Sequence, residues 1–400
     1  MAKLKQASVE CLSAMSIILY LFYAVLIVST SRILIRLFLS IGYNLTRNKK
    51  ETRVFPKISI IVPAFNEAKT IKNCIESLQS LDYPNFEIIV VDDGSSDNTF
   101  EVASQCKGAM VLRQENQGKP IALNNGISNS SGEVILTVDA DTELDKGALK
   151  PIANRFAANS KLGAVAGNVK VKRELTILNT IQSAEYATGI NLVRKGQSVL
   201  GTVMVVPGPV AAIKKEAVEE VGFFSDDTFA EDFDITVKIL KAGYEIEYEE
   251  ASLAYTDAPK STEDLMKQRR RWYRGMLQVL DKHKDLYFNR KYGVVGLFGI
   301  PNLWFDTIAP FLNIAFLFVV LLTWMVTGEF SVSIIGIVIY LGVSLGLGIL
   351  GLSLEPKPEK RNYLVLPLLL FYNMFLDGIR IMSLTEEMVN ILMDWEKPKR

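Results

Sequence analysis

The sequence predicts an α/β protein in which a doubly wound, mostly parallel sheet is flanked by transmembrane helices. Three observations carry that prediction. Strand-like apolar runs alternate with segments of helical periodicity from Lys57 to Val171. Nearly uncharged stretches of about 20 residues, enough to span a bilayer, lie towards both ends of the chain. Acids, amides and a lysine gather just after the predicted strands, where open α/β sheets bind ligands.

Residues 57–63 (KISIIVP), 86–92 (FEIIVVD) and 134–138 (VILTV) have the apolar, β-branched character of buried strands, and 109–113 and 163–171 continue the series. Between them, Ile71, Cys74, Ile75 and Leu78 recur at helical spacing within 70–80, and 98–106, 121–128 and 147–159 read as further helices. Strands separated by helices need crossovers, so they run parallel with helices on both faces. Further on, 176–197 reads as one longer helix, 210–213 as a strand, 215–221 as a short helix and 232–242 as an amphipathic helix stopped by Gly243. Residues 261–284 form a long basic amphipathic helix with a capping box from Ser261 to Asp264.

Charge and apolarity are segregated along the chain. The 44 basic residues equal the 44 acidic ones, which argues against a global nucleic-acid footprint. Cys11, Cys74 and Cys106 are scattered without metal-ligand spacing, and His283, set among lysines and acids, reads as a surface residue. Residues 12–30 form an almost uncharged run read as a retained membrane helix. The basic residues after it, Arg32, Arg36, Arg47, Lys49, Lys50 and Arg53, place the middle of the chain in the cytoplasm. Residues 292–304, interrupted by Gly296, Gly299 and Pro301, read as interfacial, and 311–327, 330–354 and 363–384 as spans. Parity then leaves the C-terminus outside, against the sense of its basic end. The organisation expected is a membrane helix and basic segment over 1–50, a cytoplasmic catalytic domain over 51–257, interfacial helices over 258–306 and about three spans with a tail over 307–400.

The chemistry-bearing residues fall at strand ends and helix starts. The first strand runs into Pro63-Ala64-Phe65-Asn66-Glu67, and the second into Asp92-Asp93-Gly94-Ser95, whose carboxylates can accept from a nucleobase N–H or ribose hydroxyls. Asn116-Gln117-Gly118-Lys119 adds a glycine turn and a cation at a helix start. The strand 134–138 leads into Asp139-Ala140-Asp141, which suits a divalent cation with a phosphate-bearing ligand or, equally, a solvated turn. That all four clusters share one sheet edge favours the ligand. Glu231-Asp232 opens a helix, where it can serve as an N-cap or as a general base. Gln268-Arg269-Arg270-Arg271-Trp272 can face a membrane surface, or grip a diphosphate with guanidinium and stack indole on a sugar.

In this order the motifs resemble the membrane-embedded family 2 glycosyltransferases of the GT-A fold, the processive synthases of cellulose, chitin, hyaluronan and poly-N-acetylglucosamine. The likeness covers about residues 55–275. It implies inverting transfer of a sugar from a UDP-sugar (UDP-N-acetylglucosamine or UDP-glucose) to a growing β-linked saccharide. Donor contacts would be Ala64, Glu67, Asp92, Asp93, Lys119, Asp139 and Arg271, and Asp141 would ligate Mg²⁺ or Mn²⁺. Asp232, with Glu231, would be the base. Gln268, Trp272 and Gly208 of the Pro207-Gly208-Pro209 turn would meet the acceptor. Ala230 stands where many members carry threonine. The resemblance also implies a multi-pass cell-membrane location, contact with the bilayer and room for a secretion or accessory subunit. The alternatives are a single-addition transferase with a lipid acceptor such as a polyprenyl phosphate, and a non-catalytic nucleotide-binding transport or scaffold subunit.

Overall fold

The computed structural model describes residues 27–45 (except 29 and 33), 55–327, 330–389 and 391, so the expected span at 12–30 lies almost wholly outside the described residues. The strands are β1 (Ile58–Ala64), β2 (Phe86–Asp93), β3 (Ala109–Gln114), β4 (Val134–Thr137), β5 (Glu143–Leu144), β6 (Leu162–Val171), β7 (Ala211–Lys214) and β8 (Glu245–Thr256). They form one sheet in the order β3-β2-β1-β4-β7-β6-β8-β5. β3, β2, β1 and β4 are mutually parallel, as the alternating pattern requires. The other half is mixed. β7 runs antiparallel to both β4 and β6, β6 and β8 are parallel, and β5 is antiparallel to β8. The "mostly parallel" expectation thus holds for the first four strands of the sheet. It weakens at β7, which the chain reaches through a helical excursion rather than a βαβ crossover.

Successive residues of β1 serve opposite faces of the sheet. Ile61 belongs to one core with Ile89, Leu123 and Ile127, whereas Ile58, Ile60 and Val62 join Ile71, Ile75 and Leu78 in the other. The first core is covered by α4 (Lys119–Ser128), and the second by α2 (Ile71–Gln79) and α5 (Leu149–Ala158). Helices therefore lie on both faces, and α3 (Thr99–Gln105) links β2 to β3. The expected helix at 176–197 is one run of three parts: α6 (Ile177–Glu185), a π-helical turn Tyr186–Asn191, and α7 (Leu192–Val199).

β8 escaped the sequence reading because its stretch EIEYEEASLAYT is rich in acids. Those acids are consumed by cations. Arg155 Nη1 lies 2.9 Å from Glu247 and its Nε 2.7 Å from Glu249, and Lys195 Nζ lies 2.6 Å from Glu250. His283 is the other departure. It is buried, with Nε2 2.8 Å from Asp234 Oδ1, not on the surface.

The remaining helices gather against this domain. They are α8 (Lys215–Glu220), α9 (Glu231–Lys241), α10 (Thr262–Lys282), α11 (Ile300–Thr327), α12 (Phe330–Ser353), α13 (Lys360–Leu364) and α14 (Leu366–Met388). Residues 34–45, α1, are also helical. The α10 cap forms as its sequence requires, with Asp264 N–H donating to Ser261 Oγ at 3.1 Å. The expected interfacial stretch 292–304 is absorbed into a short turn, a π-turn Val295–Gly299 and the start of α11. Pro301 lies just past the π-turn inside a continuous helical run, so the N–H it lacks interrupts the hydrogen-bond ladder there. α11 is fastened to the N-terminal helical segment by Asp306, 2.7 Å from both Arg32 and Arg36.

Two stretches among the described residues, Val295–Ala315 and Leu366–Met388, are long and apolar enough to cross a bilayer. α14 also carries polar groups that bind α6 and α10 along its length. Tyr372 donates to Glu185 at 2.7 Å, Arg270 Nε lies 2.5 Å from Glu386, and Arg274 Nε lies 2.8 Å from Glu387. Just before α14, Asn362 donates to Ser183 at 3.0 Å. Both ends of α14 thus rest on the same α/β body.

Candidate active site

The parallel strands β1, β2 and β4 end at one rim, and their loops lock together. Ala64 lies opposite Asp92 in the ladder. In the turn after β1, Asn66 N–H donates to Ser95 Oγ at 2.9 Å, and Glu67 N–H to Thr99 Oγ1 at 2.7 Å. Asp92 is fully buried with Arg113 Nε 3.3 Å away. Asp93 is buried too and accepts from Gln114 Nε2 (2.8 Å), Gln117 N–H (3.0 Å) and Gly118 N–H (2.9 Å). It therefore shapes the loop that enters α4 and fixes the first residue of that helix, Lys119.

Lys119 is the hub. Its ammonium lies 2.8 Å from Asp139 Oδ1 and 3.0 Å from Glu231 Oε1, joining the end of β4 to the start of α9. The antiparallel β7 brings in the fourth wall. Because β7 begins where β4 ends, the Pro207-Gly208-Pro209 turn arrives at the same rim, and Thr137 Oγ1 donates to Gly208 O at 3.0 Å. Gly208 N–H lies 3.4 Å from Asp232 Oδ2. A Cβ at Gly208 would sit 2.8 Å from Lys119 Nζ and 3.4 Å from Asp139 Oδ1, so a side chain here would have to displace the Lys119 ammonium.

The two acids of α9 are pushed apart. Burial raises both, but Glu231 faces Lys119 and Arg271 and ends below the usual carboxylate range. Asp232 is raised to about 6 by burial and by the adjacent Glu231 charge, against the pull of Lys119 and the N–H groups of Phe233 and Gly208. The two neighbouring carboxylates are thus driven in opposite directions, Glu231 towards the ionised form by its two cations and Asp232 towards the protonated form by burial and the Glu231 charge.

Asp141 is buried one strand-end away. Its Oδ1 accepts from Thr142 at 3.2 Å and Thr256 at 3.3 Å, and its carbonyl holds Lys172 Nζ at 2.8 Å. The Thr256 contact depends on β8 and so was hidden along with it. Among the described residues no three His, Cys, Asp or Glu side chains converge into a ready-made cage. Asp139 and Asp141 offer hard oxygen ligands in the number with which proteins commonly hold Mg²⁺ or Mn²⁺ when substrate phosphates supply the rest. The chemistry of these two donors therefore fits such a cation.

α10 closes the site from the side. Its approach to α9 is limited by Gly275, where a Cβ would lie 2.7 Å from Ala230 Cβ and 2.8 Å from Ala230 N. This contact accounts for the small residue at Ala230. Gln278 Oε1 accepts from Phe229 N–H at 3.0 Å, and one turn before Gly275, Arg271 acts on Glu231. Its neighbours in the motif are held by other helices: Arg269 pairs with Glu185 of α6 at 2.6 Å, and Arg270 with Glu386 of α14 at 2.5 Å. Gln268 is buried, and Trp272 lies under the Arg269 guanidinium, 4.2 Å from its ring centre. We expect Gly275→Ala to destabilise the fold by about 1–3 kcal/mol, since backbone rather than a flexible tip stands in the way. Denaturant unfolding of the detergent-purified protein measures this.

The arrangement is that of a GT-A-type glycosyltransferase fold: a polar rim at the ends of parallel strands, an Asp-x-Asp turn and a facing acid pair. Residues 59–222 match the family model described as glycosyl transferase family 2. Among curated proteins it is 37% identical over 236 residues to the poly-beta-1,6-N-acetyl-D-glucosamine synthase of Staphylococcus epidermidis, covering 58% of this chain and 57% of that one. It is 36% identical over 227 residues to the synthase of the same name from Staphylococcus aureus (strain COL), covering 56% and 55%. The matched part is thus little more than half the length of these relatives. Among solved structures, a mannosyltransferase from Pyrobaculum calidifontis, in complex with GDP-Man and Mn2+, superposes with a TM-score of 0.64 at 18% identity, covering 93% of this chain and 100% of that one. That likeness concerns the fold.

Proposed function

We propose that the protein is an inverting membrane glycosyltransferase that moves a sugar, best matched by N-acetylglucosamine from UDP-N-acetylglucosamine, onto a growing β-linked saccharide. The observation that carries this reading is the convergence at one rim of Asp232, 3.4 Å from Gly208 N–H, with Lys119 bridging Asp139 and Glu231. The names of the curated relatives supply the sugar.

In this reading Ala64, Glu67, Asp92 and Asp93 lie along the nucleoside side of the rim, and Lys119, Asp139 and Arg271 serve the donor's phosphates and sugar. Asp141, with Asp139 beside it, would hold Mg²⁺ or Mn²⁺, which neutralises the diphosphate's charge when bound. The acceptor approaches over Gly208, flanked by Gln268 and Trp272. Asp232 takes the proton of the attacking hydroxyl as its oxygen bonds to C1 of the donor sugar. The C1–O bond to the diphosphate breaks, and its electron pair leaves with UDP. Arg271 and Lys119 stabilise that departing charge. One base and a stabilised leaving group complete an inverting displacement without a covalent nucleophile.

We place α11 and α12 across the membrane, with the α/β domain on the cytoplasmic side. α14, tied to that domain at both ends, lies along the membrane face instead of crossing it. This reverses the parity expectation and puts the basic C-terminus on the cytoplasmic side.

A screen of UDP-sugars scored by UDP release from the full chain in detergent tests the function. Turnover is expected with Mn²⁺, with loss on EDTA treatment and in Asp141→Ala. Equal UDP release by wild type and Asp141→Ala would overturn the assignment.

A further inference from the structure

α1 rests one face on α7. Ser40 Oγ donates to the Leu192 carbonyl at 2.8 Å, and Gly196 lets the two helices close, since a Cβ there would stand 3.2 Å from the Arg36 carbonyl. The opposite face of α1 is uncovered: Leu34, Phe38, Ile41 and Leu45 recur at helical spacing and are all exposed. Between α1, α7 and the π-turn that leads into α11 lies an open cleft of about 370 Å³, with Arg36, Gln197, Thr202, Phe298 and Asn302 among its walls.

This cleft holds more positive charge than the fold answers. Arg32 and Arg36 share the one carboxylate of Asp306, each at 2.7 Å. Arg32 is otherwise committed, with Nε and Nη2 donating to Asn302 Oδ1 at 2.8 and 2.6 Å and its guanidinium 3.9 Å from the ring centre of Phe305. Arg36 gives Asp306 only Nη2, and among the described residues its Nε and Nη1 have no hydrogen-bond partner. Gln197 is held through its carbonyl oxygen, which accepts from Met204 N–H at 3.2 Å; among the described residues its amide nitrogen and the Thr202 hydroxyl are uncommitted. Two guanidiniums against one carboxylate leave one positive charge facing spare donors, the complement of a singly charged phosphate.

The position of the cleft says what carries that phosphate. Asp306 lies in the second turn of α11, within the stretch Val295–Ala315 that is long and apolar enough to cross a bilayer. Leu200, Leu297 and Phe298 are exposed around the cleft, beside the uncovered stripe of α1. A cationic centre ringed by exposed apolar side chains at the end of such a stretch sits at headgroup depth.

We propose that this cleft binds the phosphate of an anionic glycerophospholipid. Arg36 donates to the phosphate oxygens, Gln197 and Thr202 reach phosphate or glycerol oxygens, and the acyl chains lie along Leu34 and Phe38. A choline headgroup would set its own cation against the two arginines, so an anionic headgroup is preferred to a zwitterionic one. The site goes beyond the transferase reading and shares with it only the membrane placement of α11.

The test is calorimetric titration of the full chain in detergent with dihexanoyl phosphatidylglycerol, dihexanoyl phosphatidylcholine and glycerol 1-phosphate. Wild type should bind the first about tenfold more tightly than either of the others. Arg36→Gln should weaken that binding about tenfold or more, the loss expected of a charge-assisted hydrogen bond. Gln197→Leu with Thr202→Val, which leaves the Asp306 pairs intact, should weaken it severalfold. Arg290→Gln, which removes an exposed cation elsewhere, should leave it unchanged. Equal affinity for the two lipids, undiminished binding by Arg36→Gln, or an equal loss in Arg290→Gln overturns the site. Glycerol 1-phosphate bound as tightly as the lipid would mean a free-anion site and overturns the lipid assignment. If Arg36→Gln does not fold, the Gln197→Leu, Thr202→Val variant decides, and undiminished binding by it refutes the site. The readout is binding alone, so a wild type that turns over no UDP-sugar would refute the transferase reading and leave this result standing.

Discussion

Asp232→Asn should lower kcat by roughly 10²–10⁴-fold while leaving UDP affinity nearly unchanged. The amide keeps the size of the side chain but cannot take the acceptor's proton. Its neighbours predict the pH dependence as well. The carboxylate is raised to about 6, and the base works only when ionised. The rate therefore falls as pH drops through about 6, with kcat/KM losing about tenfold per pH unit below it. Lys119 and the N–H groups of Phe233 and Gly208 favour the ionised form, while Glu231, itself countered by Arg271, opposes it. Replacing Lys119 by methionine removes a cation that favours ionisation, so the acidic limb should move to higher pH. A pH–rate series on wild type, Asp232→Asn and Lys119→Met measures both effects. An acidic limb that stays in place in Lys119→Met would show that Asp232 is not the titrating base.

The largest expected effect on stability is at Arg269. This side chain is 1% exposed, its Nη2 lies 2.6 Å from Glu185 Oε2, and its guanidinium covers Trp272. Tyr372 of α14 donates to the same Glu185 oxygen, so three helices, α6, α10 and α14, meet on one buried ion pair. Arg269→Met leaves Glu185 without its countercharge and should cost about 3–5 kcal/mol. In a domain of this size that lowers the thermal midpoint by about 10 °C. Removing both charges, as in Arg269→Met with Glu185→Leu, should recover most of the loss, because it is the stranded carboxylate that is expensive. Thermal unfolding of the three proteins in detergent reads this directly. A double variant as unstable as the single one would mean that the packing of the guanidinium on Trp272, not its charge, holds the helices together.

The same contrast between local pattern and distant partner explains how much was legible in the sequence. β1, β2 and β4 announce themselves because strands buried on both faces must be continuously apolar, and their polar sequels fall at one rim because parallel strands share an end. β8 does not announce itself. Its glutamates look like a solvated surface until Arg155 and Lys195, far away in sequence, are placed against them. His283 misleads for the same reason, since its partner Asp234 lies 49 positions earlier. Within the site, the sequence identifies which acids and amides stand at strand ends. It cannot show that Lys119 bridges Asp139 and Glu231, or that an antiparallel β7 delivers Gly208 to them.

If Asp232 is the single base of an inverting displacement, the new linkage must have the configuration opposite to that of the donor. The most direct measurement is the configuration of the newly formed linkage, read by proton NMR on product made by the full chain from UDP-N-acetylglucosamine. A β-linkage, formed by wild type and not by Asp232→Asn, is the predicted result. An α-linked product, or a β-linked one formed at an undiminished rate by Asp232→Asn, would contradict it.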